Sequence, residues 1–62
     1  MRTYTYPTWF FSPVEGQLVT VASSTSVARD PDTGEYFSDL TLEFMRESDD
    51  WFEYASREEA LA

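Results

Sequence analysis

Tyr36-Phe37-Ser38-Asp39-Leu40-Thr41-Leu42-Glu43-Phe44-Met45-Arg46 is the stretch on which the architecture turns, because it fits two periodicities. Read with period 2, its even positions are Tyr36, Ser38, Leu40, Leu42, Phe44 and Arg46 and its odd positions Phe37, Asp39, Thr41, Glu43 and Met45, so four of six are apolar on one face against two of five on the other. Read with period 3.6 from about residue 38, Leu40 and Phe44 align with Trp51 and Ala55 on a helical stripe. Leu42 separates the two. On a helix it would stand about 200° from Leu40 among acids, whereas a strand sets it beside Leu40 and Phe44. The reading is therefore a strand over 36–46, with a β-hairpin followed by a helix from about residue 38, an α+β chain, as the alternative.

The flanking segments build on that strand. Upstream, Arg29-Asp30-Pro31-Asp32-Thr33-Gly34-Glu35 predicts a hairpin, with Pro31 and Asp32 central in a type I turn and Gly34 in the left-handed region that follows. Before it, residues 17–28 read as a strand through Leu18, Val19, Val21 and Val27. Its Ser23-Ser24-Thr25-Ser26 run suggests a weakly packed end, a bulge or a close approach by another chain. Residues 12–16 hold Pro13 and Gly16 and read as a turn. Residues 3–11, rich in aromatics and threonine, read as a first strand, which Pro7 restricts to an edge or a bulge. Downstream, Ser48-Asp49-Asp50 predicts a turn and residues 51–55 a short fourth strand. Ser56-Arg57-Glu58-Glu59 matches a capping box and opens a terminal helical turn. The expectation is a single small acidic domain over 1–62. It is mainly β: an antiparallel meander of three to four strands with a short C-terminal helical turn.

The 62 residues include 12 acids, four arginines and no lysine, histidine or cysteine, for a net charge of −8. A chain this short buries about 60% of its unfolded surface. Such domains commonly rely on disulfides or metals, and without cysteine or histidine the disulfide, thiolate and common zinc solutions are absent. Asp30-Pro31-Asp32-Thr33-Gly34-Glu35 falls short of a calcium loop, since an EF-hand needs Gly at the sixth position and Glu at the twelfth, where Glu35 and Thr41 stand. No metal or cofactor is expected. Nor is an enzyme: no nucleophile–base pair and no phosphate-cradling glycine loop is present, and 62 residues scarcely enclose a cleft.

The charge is unevenly placed. Residues 1–29 carry +1 and residues 30–62 carry −9, in a stretch too rich in aromatics for a solvated tail. Asp39, Glu43 and Glu47 recur every four residues and would share a face on a strand or a helix, with Asp49, Asp50 and Glu53 extending the row. Solubilising faces usually mix signs, and no lysine balances these acids. Eleven aromatics are more than a small sheet hides. Phe10-Phe11 and Trp51-Phe52 would each point rings to opposite faces, one of them exposed or covered by a partner. Exposed rings among acids suit a basic, groove-bearing protein. The expected partner surface is thus Asp39, Glu43, Glu47, Asp49, Asp50, Glu53 and Trp51.

Scattered single arginines disfavour direct binding to nucleic acid, and no apolar run approaches the ~18 residues of a membrane span. The expectation is a cytoplasmic protein whose carboxylates stand where phosphates would lie on a basic nucleic-acid-binding protein or complex. Its size and charge are those of phage-encoded inhibitors of host restriction, CRISPR or transcription machinery, which would place it in a host cytoplasm. An accessory subunit docking through an edge strand and aromatics is the alternative, and a homodimer through a sheet edge is a further expectation.

Overall fold

The computed structural model describes residues 5–62. Five antiparallel strands and two short helices follow in the order β1 (Thr8–Ser12), β2 (Gln17–Val21), β3 (Ala28–Arg29), β4 (Tyr36–Phe37), α1 (Leu42–Glu47), β5 (Phe52–Tyr54) and α2 (Arg57–Leu61). The strands form one sheet in the order β4-β3-β2-β1-β5. The first four make a meander, and β5 returns to pair with the free side of β1. The chain is mainly β with a C-terminal helix, as expected, though the strands are shorter and one more in number.

Alternation along β1 builds the core. Thr8, Phe10 and Ser12 point inward and are buried, while Trp9 and Phe11 point outward and are half-buried. Register sets Phe10 opposite Val19 and Thr8 opposite Val21, and Ala28 opposite Phe37. Phe10, Val19, Val21, Ala28, Met45 and Trp51 form the core, with Phe37, Leu40 and Leu42 packed against it. Ser12 lies in this apolar layer, so its hydroxyl needs a partner. It accepts from Glu15 N at 3.1 Å, while Ser12 O accepts from Gly16 N at 2.7 Å. These bonds close the β1–β2 turn, in which Gly16 takes φ +65°.

Three sequence expectations are corrected. The first strand is not an edge: β1 begins at Thr8, after Pro7, so the proline costs the ladder no donor, and β1 pairs on both sides. Its expected residues 3 and 4 lie outside those described. The strand expected over 17–28 is two. Ser26 N donates to Ser23 O (3.1 Å) and the Ser23 and Ser26 hydroxyls meet at 2.8 Å, so the small polar run reverses the chain and returns it as β3 beside β2. The strand expected over 36–46 ends at Phe37 and gives way to α1.

Leu42 does not exclude a helix here, because Leu40 is not part of it. Thr41 is the N-cap, its hydroxyl accepting from Phe44 N at 3.1 Å, so Leu40 precedes the helix and its angle to Leu42 is not helical. Leu42 and Met45, three apart, then turn inward together. The strand alternation would have set Phe37 and Met45 on the acidic face, yet Met45 is fully buried and Phe37 half-buried, while Tyr36 and Phe44 are 63% and 52% exposed. Six residues cannot sustain a helix alone. Burial of Met45, the Thr41 cap, Glu43 in the first turn and Arg46 in the last hold it.

Two local motifs form as read. Gly34 takes φ +78° in the β3–β4 hairpin, where Asp30 N donates to Glu35 O and Gly34 N to Asp30 O, each at 2.8 Å. Ser56 caps α2, accepting from Glu59 N at 3.2 Å. Glu59 reaches back to Ala55 N at 3.2 Å, one residue before the cap.

Candidate functional site

The inward face of β5 carries an acid. Glu53 lies opposite Phe10, on the face that holds the core, where an uncompensated carboxylate would be costly. Arg46, in the last turn of α1, meets it with both arms of its guanidinium: Nε donates to Oε1 at 3.0 Å and Nη2 to Oε2 at 2.9 Å. The Thr8 hydroxyl donates to Oε2 at 2.7 Å, and Arg46 Nη2 also reaches the Tyr6 hydroxyl at 3.4 Å. The two side chains are 23% and 17% exposed. Hydrogen bonding to Glu53 raises the Arg46 pKa still further above its ordinary value, over the opposing effect of burial.

This pairing decides the charge of the surrounding surface. Between residues 39 and 50 the acids are Asp39, Glu43, Glu47, Asp49 and Asp50, and all five are exposed. Arg46 is the one cation in that interval, and it is turned toward Glu53.

The four-residue spacing holds for part of the row. Glu43 and Glu47 share a face of α1, about 6 Å apart along its axis. Asp39 lies in the turn before the helix, so helical spacing does not reach it. It lines a groove of about 490 Å³ with Glu15, Asp50 and the rings of Tyr36, Phe37, Phe44 and Trp51. Asp49 borders a separate hollow beside Arg46 and Glu53, and Glu43 borders another against the Ser24–Val27 turn. Glu53 thus lies beside Asp49 at the Arg46 hollow, apart from the groove that Asp39 and Asp50 line.

Trp51 lies in the core and is 8% exposed, and Phe52 is the outward ring of that pair at 47%. Of the other pair, Phe10 is buried and Phe11 half-buried. The sequence reading missed Glu15, Phe44 and Tyr36 as groove residues. An exposed phenylalanine within an acidic run was the signal for Phe44, whereas Glu15 arrives only through the β1–β2 turn.

The Asp30 carboxylate is engaged in the hairpin. Oδ1 accepts from Asp32 N (2.8 Å) and Thr33 N (3.1 Å), and Oδ2 from Gln17 Nε2 (3.0 Å). These bonds, that from Gln17 foremost, lower its pKa. Among the described residues no three acids converge on a point that could hold a metal ion, and no helix is long and apolar enough to cross a membrane. Comparison with family models, with curated proteins and with solved structures gives no significant match.

Proposed function

We propose that this chain is a non-enzymatic acidic binding protein that occupies the nucleic-acid site of a basic partner protein or complex. Such is the role of phage-type anti-CRISPR and anti-restriction inhibitors acting in a host cytoplasm. The observation that carries the reading is the inward pairing of Arg46, the one cation between residues 39 and 50, with Glu53, beside which the five carboxylates from Asp39 to Asp50 stand exposed. Uncompensated repulsion of this kind costs stability in a small domain, and a basic channel would relieve it. Glu43 and Glu47, about 6 Å apart along α1, set two like charges close together, as successive phosphates of a nucleic-acid strand do. Exposed Phe44 between them offers an apolar anchor.

Capture from a bacterial lysate at low and high salt, followed by stopped-flow association with the purified partner, tests the reading. A basic nucleic-acid enzyme that releases with salt is expected, because steered association falls as the Debye length shrinks to ~3 Å at 1 M. Asp39→Ser, Glu43→Gln and Glu47→Gln together should slow association at least tenfold, a working estimate from the 10–10³-fold range of steering, and leave the fold intact. Association that ignores both salt and the triple change would overturn it.

The accessory-subunit reading draws on Phe52, exposed on edge strand β5. The sheet edges themselves offer little, since β4 has two residues and β5 three, and such short edges present few free backbone groups. Salt-resistant capture that is lost on Phe52→Ser would favour this reading, and sedimentation of the free protein at micromolar concentration would report a homodimer.

A further inference from the structure

The outward face of the sheet has a chemistry opposite to that of the acidic band. Register sets Tyr54 opposite Trp9, Trp9 opposite Thr20, Thr20 opposite Arg29 and Arg29 opposite Tyr36. One transverse row thus reads Tyr54, Trp9, Thr20, Arg29, Tyr36 across all five strands. Strands stand about 4.8 Å apart, so Trp9 and Arg29 are separated by roughly 10 Å and Arg29 adjoins Tyr36. A groove of about 480 Å³ lies over this row, walled by Pro7, Val27 and Pro31, and Arg57 enters from α2.

Among the described residues Arg29 and Arg57 line this groove, and no acid does. Arg57 Nη2 bonds Asp32 Oδ1 at 2.9 Å from the rim. Arg29 is exposed and makes no ion pair among the described residues. A guanidinium beside a tyrosine ring is preorganised to take a carboxylate in bidentate fashion, and Trp9 supplies a half-buried platform for an apolar or aromatic side chain. Side chains at i and i+2 of an extended chain share a face about 6.6 Å apart, and the lengths of the arginine and a glutamate side chain span the rest of the ~10 Å.

We propose that this groove binds an acidic extended peptide segment of another protein, an apolar side chain resting on Trp9 and a carboxylate two residues away, on the same face of the peptide, paired with Arg29. Charge complementarity selects the occupant: the groove is a local cationic site on a chain of net charge −8, so a basic peptide would be drawn to the opposite face instead. The site is independent of the proposed nucleic-acid mimicry and stands or falls separately.

The test uses the intact chain, labelled with ¹⁵N, and the probe peptide acetyl-Phe-Asp-Glu-Glu-amide. Titration should shift the Trp9 indole N–H and the Arg29 Nε–H with saturation, and leave the Trp51 indole and the α1 amides in place. Arg29→Gln should weaken binding about tenfold, as for loss of one charge-assisted pair, and the amide counterpart acetyl-Phe-Asn-Gln-Gln-amide should bind as weakly. Arg29→Lys, which keeps the charge and loses the fork, should retain part of the affinity. Equal binding of the neutral peptide, shifts confined to the Asp39–Asp50 groove, or no saturable shift would overturn the proposal. Concentration-dependent self-association abolished by Arg29→Gln would overturn it too, identifying a second copy's acidic helix as the occupant.

Discussion

Replacing Arg46 by methionine should unfold this domain more readily than any exposed charge substitution on it. The change keeps an unbranched apolar stem of similar bulk out to the Nε position and removes the guanidinium from Glu53, which receives two of its bonds. An exposed ion pair contributes about 0.2–1 kcal/mol, whereas removing one partner of a buried pair costs about 3–5 kcal/mol. At 23% and 17% side-chain exposure the pair stands between these limits, nearer the second, because the Glu53 side chain shares the core face with Phe10. The expected loss for Arg46→Met is therefore about 2.5 kcal/mol. A domain of 62 residues holds roughly 3–9 kcal/mol in all, so the melting temperature should fall by roughly 10–20 °C. Urea melts followed by the fluorescence of buried Trp51 give the value. Glu53→Gln and the double variant complete a cycle, in which the coupling should be about 1.5 kcal/mol. A coupling below ~0.5 kcal/mol would mean that the pair behaves as an exposed one, and Arg46 would then be available to neutralise the acids around it.

Three further perturbations probe the local devices. Thr41→Ala removes the cap bond to Phe44 N and should cost about 1 kcal/mol in urea melts, with Thr41→Ser recovering most of it. Gly34→Ala meets no atom within 4 Å of the new Cβ, so its cost is the left-handed backbone at φ +78°, about 1–2 kcal/mol by the same measurement. The Asp30 carboxyl is held below its ordinary pKa by Gln17 and two backbone N–H groups, so the folded state takes up its proton less readily than the unfolded chain. Its contribution is present above the unfolded value near 3.9 and is lost as pH falls through the lower native one. Asp30→Asn should therefore show a shallower loss of urea midpoint between pH 5 and pH 2.5 than the parent, and equal slopes would refute the role of these bonds.

Two backbone devices encoded within four or five residues could be read in the sequence. Asp30 to Gly34 and Ser56 to Glu59 each contain donor, acceptor and required φ in one short run, and both formed as expected. The failures were decided by packing at a distance. Residues 36–46 alternate well enough to be a strand, but Met45 fills a core position over Phe10 and Val19, and satisfying it twists the segment into a helix that Thr41 can cap. The Ser23–Ser26 run was legible as polar and small, and its hydroxyl-to-hydroxyl closure made it a reversal rather than a frayed strand end. Among the candidate site residues, exposure of Asp39, Glu43, Glu47, Asp49 and Asp50 followed from their chemistry. The inward turn of Glu53 and the burial of Trp51 followed from the β1–β5 register, which no local pattern announces.

Charge counting along the chain would credit Arg46 with neutralising one of the acids beside it in sequence, Glu43, Glu47 or Asp49. The fold assigns it elsewhere. β5 pairs with β1 such that Glu53 points to the core face, and the last turn of α1 is the element that brings a cation to it. That pairing engages the one cation of the interval with Glu53, while the acids around it in sequence stay exposed. The same logic runs on the other face, where strands distant in sequence align Arg29 with Trp9 and Tyr36 and gather cations that are scattered singly along the chain. A molecule of net charge −8 thus exposes five acids between residues 39 and 50 and sets Arg29 and Arg57 along one groove. Their separation comes from strand register, since shifting any strand by one residue would exchange the two faces.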